Sequence, residues 1–402
     1  MNRPQLILAP GKEKSLQRRH PWLFSGAVRR VEGAPQEGDL VDVCDAHGQW
    51  MASGHYQPES IICKILSFDT PQVDEAFFRR RLQSAIAYRA SLGLFADSST
   101  NVFRLVHAEG DNLPGLVCDW YNGVLVMQAH SEGMHRLFPM LSRLFADLLG
   151  PYHICSIFDK SSATLPAHKL HDSNVTPLPS DRFIWGREIA EQEVLEHDIR
   201  LVINFFEGQK TGFFIDQREN RHLVESMARN RRLLNCFGYT GGFSLAALRG
   251  GASYVETVDI SKRAIDCCNR NVELNFGQQN NHRGVVADVL DYLGSIDNRF
   301  DFIILDPPAF AKSHRSLQQG LRGYRSINQR AMEKLQPGGF LMTFSCSQAV
   351  SKDDFQTMAF TAAANAHRSV RIVRQLPHAV DHPVSIFHPE GEYLKGLLLQ
   401  VE

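Results

Sequence analysis

The stretch that decides the fold is LLNCFGYTGGF, residues 233–243, which is followed at residues 255–259 by VETVD. The first run predicts a short buried strand, a glycine turn and the start of a helix, and the second predicts a strand that ends in Asp259. Glycines allow the backbone of such a turn to approach a ligand without a Cβ in the way. In a right-handed βαβ unit, Asp259 lies beside the turn, where its carboxylate can accept hydrogen bonds from two ribose hydroxyls.

The spacing of these glycines favours a nucleoside ligand that has no phosphates. It is not the G-x-G-x-x-G pattern that dinucleotide enzymes place around a pyrophosphate. S-adenosylmethionine (SAM) is a nucleoside of this kind. We expect Asp288, at the end of a predicted strand over residues 284–288, to accept a hydrogen bond from the adenine amino group. For the turn alone, the alternative is an ordinary strand–helix connection that binds no ligand.

Residues 300–308, FDFIILDPP, predict a second strand that matters for function. Their continuous apolar run is typical of a strand that is buried on both faces, and it ends in Asp306 and two prolines. The prolines end the strand and supply no N–H group, so carbonyls and the Asp306 carboxylate are left to face a flat polar group. Methyltransferases that act on a planar base use [DNS]-P-P-[FYW] at this place, whereas here the aromatic residue, Phe310, comes one position later. A plain strand-ending turn is the alternative.

Residues 338–347, GGFLMTFSCS, predict another buried strand, which ends in Cys346 between two serines. Parallel α/β sheets place their chemistry at the carboxyl ends of strands. We therefore expect Cys346 and Asp306 on neighbouring strand ends, close to the glycine turn. Because free cysteine is among the most frequently buried residue types, a core role for Cys346 is the alternative.

The composition excludes several classes of protein. The 402 residues carry a formal net charge of -1, which excludes a uniformly basic nucleic-acid binder and limits any RNA contact to local patches. The eight cysteines include no C-x-x-C pair, so we expect no metal site and no structural disulfide, and free thiols suit a reducing cytoplasm. Apolar runs are too short for a signal peptide or a membrane span, so we expect a cytoplasmic protein with no membrane partner.

We divide the chain into residues 1–72, 73–188 and 189–402. Short alternating strands in the first part resemble a PUA domain, an RNA-binding module. The second part reads as a small α+β domain with helices predicted over residues 74–92 and around residues 134–149. Basic residues of the first part would form a phosphate-facing patch, with a merely solvated basic face as the alternative. They are Lys12, Lys14, Arg18, Arg19, Arg29 and Arg30.

Two further regions are expected to border the site. Residues 208–221 form a loop with glycines, a lysine, a threonine and paired aromatics before a charged helix. Such a loop can cover the methionine end of SAM, and an ordinary linker with a helix cap is the alternative. Positive charge beyond Asp306 and polar turns near the C-terminus suit a phosphate backbone that enters beside the prolines. The candidate RNA-contacting residues of these regions are Pro307, Pro308, Lys312, Arg322, Tyr324 and His382.

Several motifs together make the chain similar to a known family along its full length. They are residues 209–218, 235–243, 306–308, 344–347, 381–383 and 389–396. The chain resembles the bacterial ribosomal RNA large subunit methyltransferase I family. The resemblance implies an α/β fold: a Rossmann-like class I SAM-dependent methyltransferase domain with a seven-stranded, mostly parallel sheet, preceded by a PUA β-barrel and a small α+β domain. It also implies SAM as cofactor, 23S rRNA or a large-subunit precursor as partner, and 5-methylation of a cytosine as activity.

The candidate site residues come from the loop, the glycine turn and the strand ends. The catalytic candidates are Cys346 and Asp306. The cofactor-binding candidates are Gln209, Thr211, Phe213, Asp216, Asn235, Phe237, Tyr239, Thr240, Gly241, Gly242, Asp259, Ile260, Asp288 and Asp306.

These residues suit C5 methylation because C5 of cytosine is a poor nucleophile. A thiolate that adds to C6 makes C5 enamine-like and able to take a methyl group, and a base then removes the C5 proton so that the thiol can leave. We assign the nucleophile to Cys346 and a hydrogen bond to the cytosine edge to Asp306. Many RNA cytosine-C5 methyltransferases have a second cysteine beside the Pro-Pro turn. Here Ala309 and Phe310 stand there, which agrees with the family named and leaves the base unassigned.

Two other functions stay open at this point. Asp-Pro-Pro sites also methylate base nitrogens, for example guanine N7, without a cysteine, and Cys346 would then be a core residue. A non-catalytic RNA-binding assembly factor that retains affinity for SAM is a hypothesis of another class. A methyltransferase for small molecules is disfavoured because it has no need of an N-terminal RNA module. The sequence leaves a monomer and a homodimer both open.

Overall fold

The computed structural model describes residues 3–165, 181–311 and 313–402. The chain forms two compact units, which are described separately below. The first unit comprises Met1–Leu195, Ile203–Ile215 and Val380–Gly391, and the second comprises Glu196–Val202, Asp216–Ala379 and Glu392–Glu402. Two segments from the C-terminal half of the chain thus fold with the N-terminal part.

The first sheet of the first unit is built from the short alternating runs near the N-terminus. Its strands are β1 (Gln5–Leu8), β2 (Trp22–Phe24), β3 (Val28–Glu32), β4 (Leu40–Cys44), β5 (Trp50–Tyr56) and β6 (Ile61–Ser67), with a short helix α1 (Lys14–Gln17) after β1. The strand order is β2-β6-β5-β4-β1-β3, in which β1 and β4 are parallel and the other neighbours are antiparallel. Apolar side chains on alternate positions, such as Leu6, Leu23 and Val43, form its core.

The second sheet of this unit packs against helices. The elements are α2 (Glu75–Ser91), β7 (Val102–His107), β8 (Leu116–Tyr121), β9 (Val124–Ala129), α3 (Glu132–Arg136), α4 (Phe138–Leu148), β10 (Ser156–Asp159) and β11 (Arg182–Gly186), and the strand order is β11-β10-β9-β8-β7. The predicted helix over residues 74–92 is confirmed, and the side chain of Asp74 caps it by accepting the N–H of Phe77. The helix predicted around residues 134–149 is two helices, because Pro139 has no N–H group to continue the first one.

The second unit is dominated by one large sheet. Before it in the chain, β12 (Glu191–Glu196) and β13 (Ile199–Asn204) form a two-stranded sheet, and each of these strands has residues in both units. The elements of the second unit that follow are α5 (Arg218–Met227), β14 (Arg232–Cys236), α6 (Gly242–Arg249), β15 (Tyr254–Asp259), α7 (Lys262–Phe276), β16 (His282–Val286), α8 (Val289–Ser295), β17 (Phe300–Leu305), α9 (Leu317–Lys334), β18 (Leu335–Ser345), α10 (Lys352–Asn365), β19 (Val370–Leu376) and β20 (Lys395–Val401). The large sheet has the order β16-β15-β14-β17-β18-β20-β19. The strands β14 to β18 run parallel, and β20 is antiparallel to both of its neighbours. The predicted seven-stranded, mostly parallel sheet is confirmed.

This strand order positions the candidate site. Helices cover both faces of the sheet, so β17 is buried along nearly its whole length, as its continuous apolar run predicts. The chain winds outward from β14 in both directions, to β15 on one side and to β17 on the other. In open α/β sheets, ligands bind at such a switch point, beyond the carboxyl ends of the strands. The glycine turn, Asp259, Asp306 and Cys346 all follow carboxyl ends of these strands.

The described residues contain no membrane-spanning helix and no metal-binding group of side chains. No helix in this part of the chain is long and apolar enough to span a membrane. Within residues 3–165, 181–311 and 313–402, no three or more His, Cys, Asp or Glu side chains are grouped so that they could hold a metal ion.

Candidate active site

The turn between β14 and α6 has a backbone conformation that few residue types adopt easily. Phe237 and Tyr239 have φ angles of 58° and 46°, and Gly241 has a φ angle of 87°. A Cβ on Gly238 would lie 2.3 Å from Cγ2 of Thr257, so a larger residue does not fit there. The N–H of Gly241 donates to the carbonyl of Gly238 over 2.9 Å and closes the turn. The turn is therefore tightly packed at the carboxyl end of β14.

Asp259, the last residue of β15, holds this turn in place. Its Oδ2 accepts the N–H of Tyr239 at 3.0 Å, and its Oδ1 accepts the N–H of Ser261 at 2.8 Å. The next residue, Ile260, is 73% exposed, which is a large exposure for an apolar side chain. The structure thus brings Asp259 beside the glycine turn, with an apolar surface next to it.

Behind the turn runs a chain of buried polar side chains. Nδ2 of Asn235 donates to Oγ of Ser244 at 2.9 Å, that hydroxyl lies 2.7 Å from Oγ1 of Thr257, and Oγ1 lies 2.9 Å from Nε2 of His282. Burial lowers the pKa of His282 to about 4. Asn235, expected to bind the cofactor, is 1% exposed, because β14 is covered on both faces and its polar side chain finds a partner on α6.

The other cofactor candidates near the glycine turn differ in their exposure and in their hydrogen bonds. Thr240 is buried and its carbonyl accepts Nδ2 of Asn271 at 3.1 Å, while Gly242 is the first residue of α6. Asp288 is exposed, and its Oδ1 caps α8 by accepting two N–H groups at 2.8 and 3.2 Å. The strand β16 ends at Val286, so the prediction that the strand ends at Asp288 was wrong by two residues. The cap, and not the strand, orients this carboxylate.

Asp306 follows β17 and is partly buried. Nε2 of Gln217 donates to its Oδ2 at 3.1 Å, and Oε1 of Gln217 accepts Nδ2 of Asn220 at 2.6 Å. Because both amides are buried, they hold the carboxylate in one orientation. After Asp306, Pro307 is buried and Pro308 is exposed. Gln217 was not among the predicted site residues, although it lies inside the quoted run 209–218.

Cys346 directly follows β18 and is partly exposed. The next residue, Ser347, connects it to the segment after Asp306: its Oγ accepts the N–H of Ala311 at 3.1 Å and lies 2.8 Å from Oη of Tyr324. The N–H of Phe310 also donates to Oη of Tyr324, at 3.3 Å. Tyr324 was expected to contact RNA, but it is fully buried, because its ring packs in the core and its hydroxyl serves these two segments.

A buried lysine lies on the other side of Ser347. Nζ of Lys395, the first residue of β20, donates to the carbonyls of Ser347 and Tyr393, both at 2.7 Å. Burial lowers the pKa of this ammonium to about 8, and a negative charge on Cys346 acts in the opposite direction. The hydroxyl of Tyr393 donates to Oδ2 of the buried Asp216 at 2.6 Å. Asp216, expected to bind the cofactor, thus anchors the segment that leads to Lys395.

Three cofactor candidates belong to the first unit. Gln209 is exposed. Thr211 is fully buried, donates to Oδ2 of Asp119 at 2.6 Å and lies 2.8 Å from Oη of Tyr121. The N–H of the buried Phe213 donates to Oη of Tyr121 at 3.2 Å. The Thr211 side chain therefore fastens this loop to β8, because a buried hydroxyl needs hydrogen-bond partners.

His382, a candidate for RNA contact, is also buried in the first unit. Its Nδ1 lies 2.9 Å from Oδ1 of Asp381, and Oδ2 of Asp381 accepts the N–H of Arg104 at 2.8 Å. The ring of His382 lies 5.0 Å from that of His107. The predicted polar turn is therefore an anchored segment, and its histidine faces the interior instead of solvent.

The basic candidates are mostly on the surface. Lys12, Lys14, Arg18, Arg19 and Arg322 are exposed, and so are Arg29 and Arg30. Arg19 is held by a bidentate contact to Asp69 at 3.0 and 2.8 Å, and such pairing leaves less of its charge for a phosphate. The prediction for Lys312 lies outside the described residues.

Comparisons with known proteins decide the family. Residues 103–390 match the family model described as S-adenosylmethionine-dependent methyltransferase, and residues 6–68 match the one described as PUA-like domain. The protein named "Ribosomal RNA large subunit methyltransferase I" from Escherichia coli (strain K12) is 39% identical over 402 residues, which cover 99% of each chain. The protein of the same name from Klebsiella pneumoniae (strain 342) is 38% identical over 407 residues, covering 99% of this chain and 98% of that one.

The chain belongs to the ribosomal RNA large subunit methyltransferase I family. A solved structure described as a SAM-dependent methyltransferase from Streptococcus mutans shares its fold, with a TM-score of 0.84 at 20% identity over 99% of this chain and 100% of that one. A methyltransferase structure complexed with SAH matches with the same values. The predicted PUA-like domain and methyltransferase fold are confirmed.

SAM is the cofactor of this methyltransferase. The glycine turn stands at the carboxyl end of β14, where such a ligand binds. Gly238 and Gly241 let it pack tightly there, because a Cβ on them would lie 2.3 Å from Cγ2 of Thr257 and 2.4 Å from Sγ of Cys268. The exposed Ile260 beside Asp259 offers an apolar face of the kind that an adenine ring covers. The groups present at the carboxyl end of β15 therefore suit an adenosine.

Proposed function

We propose that this protein transfers a methyl group from SAM to C5 of a cytosine in 23S rRNA, with Cys346 as the nucleophile. The observation that carries the proposal is the junction at Ser347. Its Oγ accepts the N–H of Ala311, so the segment that follows Asp306 and the residue after Cys346 are joined at 3.1 Å. A carboxylate and a partly exposed thiol then occupy neighbouring strand ends, which is the arrangement that C5 chemistry needs.

The choice of ribosomal RNA rests on separate support. The relatives named "Ribosomal RNA large subunit methyltransferase I" match this chain over nearly their full length. The N-terminal match to a PUA-like domain and the exposed Lys12, Lys14 and Arg18 suit a nucleic-acid backbone. A cytosine of 23S rRNA, free or in a large-subunit precursor, is therefore the substrate that we assign.

In the proposed reaction, the Cys346 thiolate forms a bond to C6 of the cytosine and raises the electron density at C5. When bound, SAM supplies the methyl group that C5 takes from the sulfonium. A base or water then removes the proton from C5, the electron pair returns to the ring, and the S–C6 bond breaks to release Cys346. The sulfur ends as it began, so the cycle needs no oxidant or reductant.

The chain's other residues hold the reactants in this scheme. Asp306, fixed by Gln217, accepts a hydrogen bond from the cytosine edge, and the exposed Pro308 contacts the base. Asp259 takes the ribose hydroxyls of SAM, Ile260 packs on the adenine, and Asp288 accepts from the adenine amino group. We assign supporting roles to the other cofactor candidates. The buried Asp216 and Asn235 shape the loops of the second unit, and residues of the glycine turn border the ligand: Phe237, Tyr239, Thr240, Gly241 and Gly242. In the first unit, the buried Thr211 and Phe213 fasten the loop that also carries Gln209.

The test is methyl transfer from labelled SAM to unmodified 23S rRNA, followed by nucleoside analysis of the product. Wild type is compared with Cys346→Ala and with Cys267→Ala, a matched change of a partly exposed cysteine on α7. We expect 5-methylcytidine from wild type and from Cys267→Ala, and a loss of more than about 10³-fold from Cys346→Ala.

Two results would contradict the proposal. A methylated purine whose formation does not depend on Cys346 would favour N-methylation at the Asp306 site. Binding of SAM and RNA without methyl transfer, to naked rRNA and to large-subunit particles alike, would favour an RNA-binding assembly factor.

A further inference from the structure

Lys395 is a buried cation beside the proposed nucleophile, and the reaction described above gives it no role. In the antiparallel ladder of β18 and β20, Lys395 is the partner of Ser345, the residue before Cys346. Its side chain is 5% exposed. Lysine is seldom buried to this extent, because its ammonium group loses solvation there. The burial of a lysine at this position therefore has to be explained by what its charge does there.

Hydrogen bonds fix the ammonium of Lys395 close to Cys346. Nζ donates to the carbonyls of Ser347 and Tyr393, each at 2.7 Å, which uses two of its three N–H groups. Both acceptor residues are themselves held: Ser347 by its contact to Tyr324, and Tyr393 by its bond to Asp216. The cation has little freedom to move away from the thiol.

The charged and titratable groups around Lys395 leave its positive charge available. Glu392 and Lys352 act on the charge of Lys395 in opposite directions, and these two side chains pair with each other at 2.6 Å. Tyr324, on the other side of Ser347, has a pKa raised by burial and is therefore neutral at physiological pH. Carbonyl oxygens favour the charged form of the lysine, and a negative sulfur on Cys346 favours it further.

We propose that the Lys395 ammonium is a positioning group that stabilises the thiolate form of Cys346 and keeps it ready to attack. The inference rests on the proposed role of Cys346 as nucleophile. The thiolate is the reactive form of cysteine, and an adjacent lysine is one of the arrangements that lower a thiol pKa in proteins. Since two carbonyls hold the ammonium, the stabilisation is present before substrate binds.

The test measures the thiolate directly, without SAM or RNA. The full-length protein is treated with iodoacetamide over a range from about pH 6 to about pH 10, and alkylation at each cysteine is followed by peptide mass spectrometry. Wild type is compared with Lys395→Met, which removes the charge, and with Lys395→Arg, which keeps it. The matched control is Lys334→Met, which changes a partly buried lysine on α9 whose Nζ donates to the carbonyl of Ile296 at 2.7 Å.

We expect the midpoint of Cys346 alkylation to move by about one pH unit or more towards alkaline pH in Lys395→Met. Lys395→Arg and Lys334→Met should stay close to wild type. Cys267, partly exposed on α7, serves as an internal reference that no variant should change, and the buried Cys236 should stay protected in a folded protein. Alkylation of Cys236 in Lys395→Met would show that this variant is unfolded. The experiment then uses Lys395→Gln, which keeps an N–H donor and removes the charge.

An unchanged Cys346 midpoint in the folded, uncharged variant would overturn the inference. This result is distinct from a failure of the proposed function. If 5-methylcytidine formation depends on Cys346 and the midpoint does not depend on Lys395, the lysine proposal alone is wrong. If the midpoint shifts but Cys346→Ala still methylates rRNA, the thiolate is real and the catalytic proposal is wrong.

Discussion

The two ends of the site are built in different ways. At the SAM end, Asp259 accepts N–H groups from Tyr239 and Ser261, which lie within 20 residues of it in the chain. At the Cys346 end, the groups that surround the thiol come from distant places: Ala311 and Tyr324 precede it, and Lys395 comes from the last strand. A local turn thus forms one end, and an assembly of long-range contacts forms the other.

Because the two ends are built differently, mutations at them should affect different properties of the protein. The SAM end depends on backbone conformation and on one carboxylate, so its failure should appear as lost cofactor affinity. The Cys346 end depends on packing around Ser347, so its failure should appear in the reactivity of the thiol while SAM still binds. Damage to one end should therefore leave the other end working.

The largest effect is expected for Asp259→Ala. The change removes the acceptor of two N–H groups and of the proposed ribose bonds, and hydrogen bonds to a charged group are each worth about 1.5–3 kcal/mol. The Kd for SAM, measured by calorimetry, should rise by about 10²-fold. The alkylation midpoint of Cys346 should stay unchanged. Asp266→Ala, which removes an exposed acid paired with Lys262 on α7, is the control. Equal SAM affinity in wild type and Asp259→Ala would remove this carboxylate from the cofactor site.

A smaller effect is expected for Tyr324→Phe at the other end. The hydroxyl that joins Ser347 and the N–H of Phe310 is lost, and a buried hydrogen bond of this kind contributes about 1 kcal/mol. The free energy of unfolding should fall by about 1–2 kcal/mol, measured with urea, and methyl transfer should slow while the Kd for SAM is retained. Tyr254→Phe, at the amino end of β15, serves as the comparison. A variant that methylates as fast as wild type would separate Ser347 from the positioning of Cys346.

The smallest effect is expected for the pH dependence of stability, to which His282 behind the glycine turn contributes. His282 has a folded-state pKa of about 4 against an ordinary value of 6.5, so the unfolded chain binds its proton more readily. Its contribution to stability is complete above about pH 6.5 and is lost as the pH falls towards 4. In thermal unfolding, His282→Gln should lose less stability between about pH 7.5 and about pH 5 than wild type does. The same loss in both proteins would assign the acid sensitivity to other groups, such as the buried His55 of the first unit.

The fold followed from patterns that are local in the sequence. The apolar run 302–305 predicted a strand covered on both faces, and the glycine turn followed by Asp259 predicted the βα unit around it. The end of β16 was missed by two residues because Asp288 caps the next helix. The linear division at residues 72 and 188 stays a prediction.

The buried candidates show where this kind of prediction stops. Thr211, Tyr324 and His382 are polar or aromatic residues in segments that read as ligand-facing loops, and all three are buried. Their partners, such as Asp119 for Thr211 and Ser347 for Tyr324, are far away in the chain. No local pattern distinguishes a hydroxyl that awaits a ligand from one that another part of the protein will satisfy.

The parallel sheet, the glycine turn with its acid and the choice of Cys346 as proposed nucleophile could be predicted from the amino-acid sequence, because strand periodicity and strand-end chemistry are properties of short segments. The groups that surround Cys346 could not, because they come together only when the chain packs. Gln217 donates a hydrogen bond to Asp306, 89 positions further along the chain. Lys395 lies 49 positions after Cys346 and is held beside it by a hydrogen bond to the carbonyl of Ser347. Burial then sets the charge state of Lys395, and burial is a property of the packed chain.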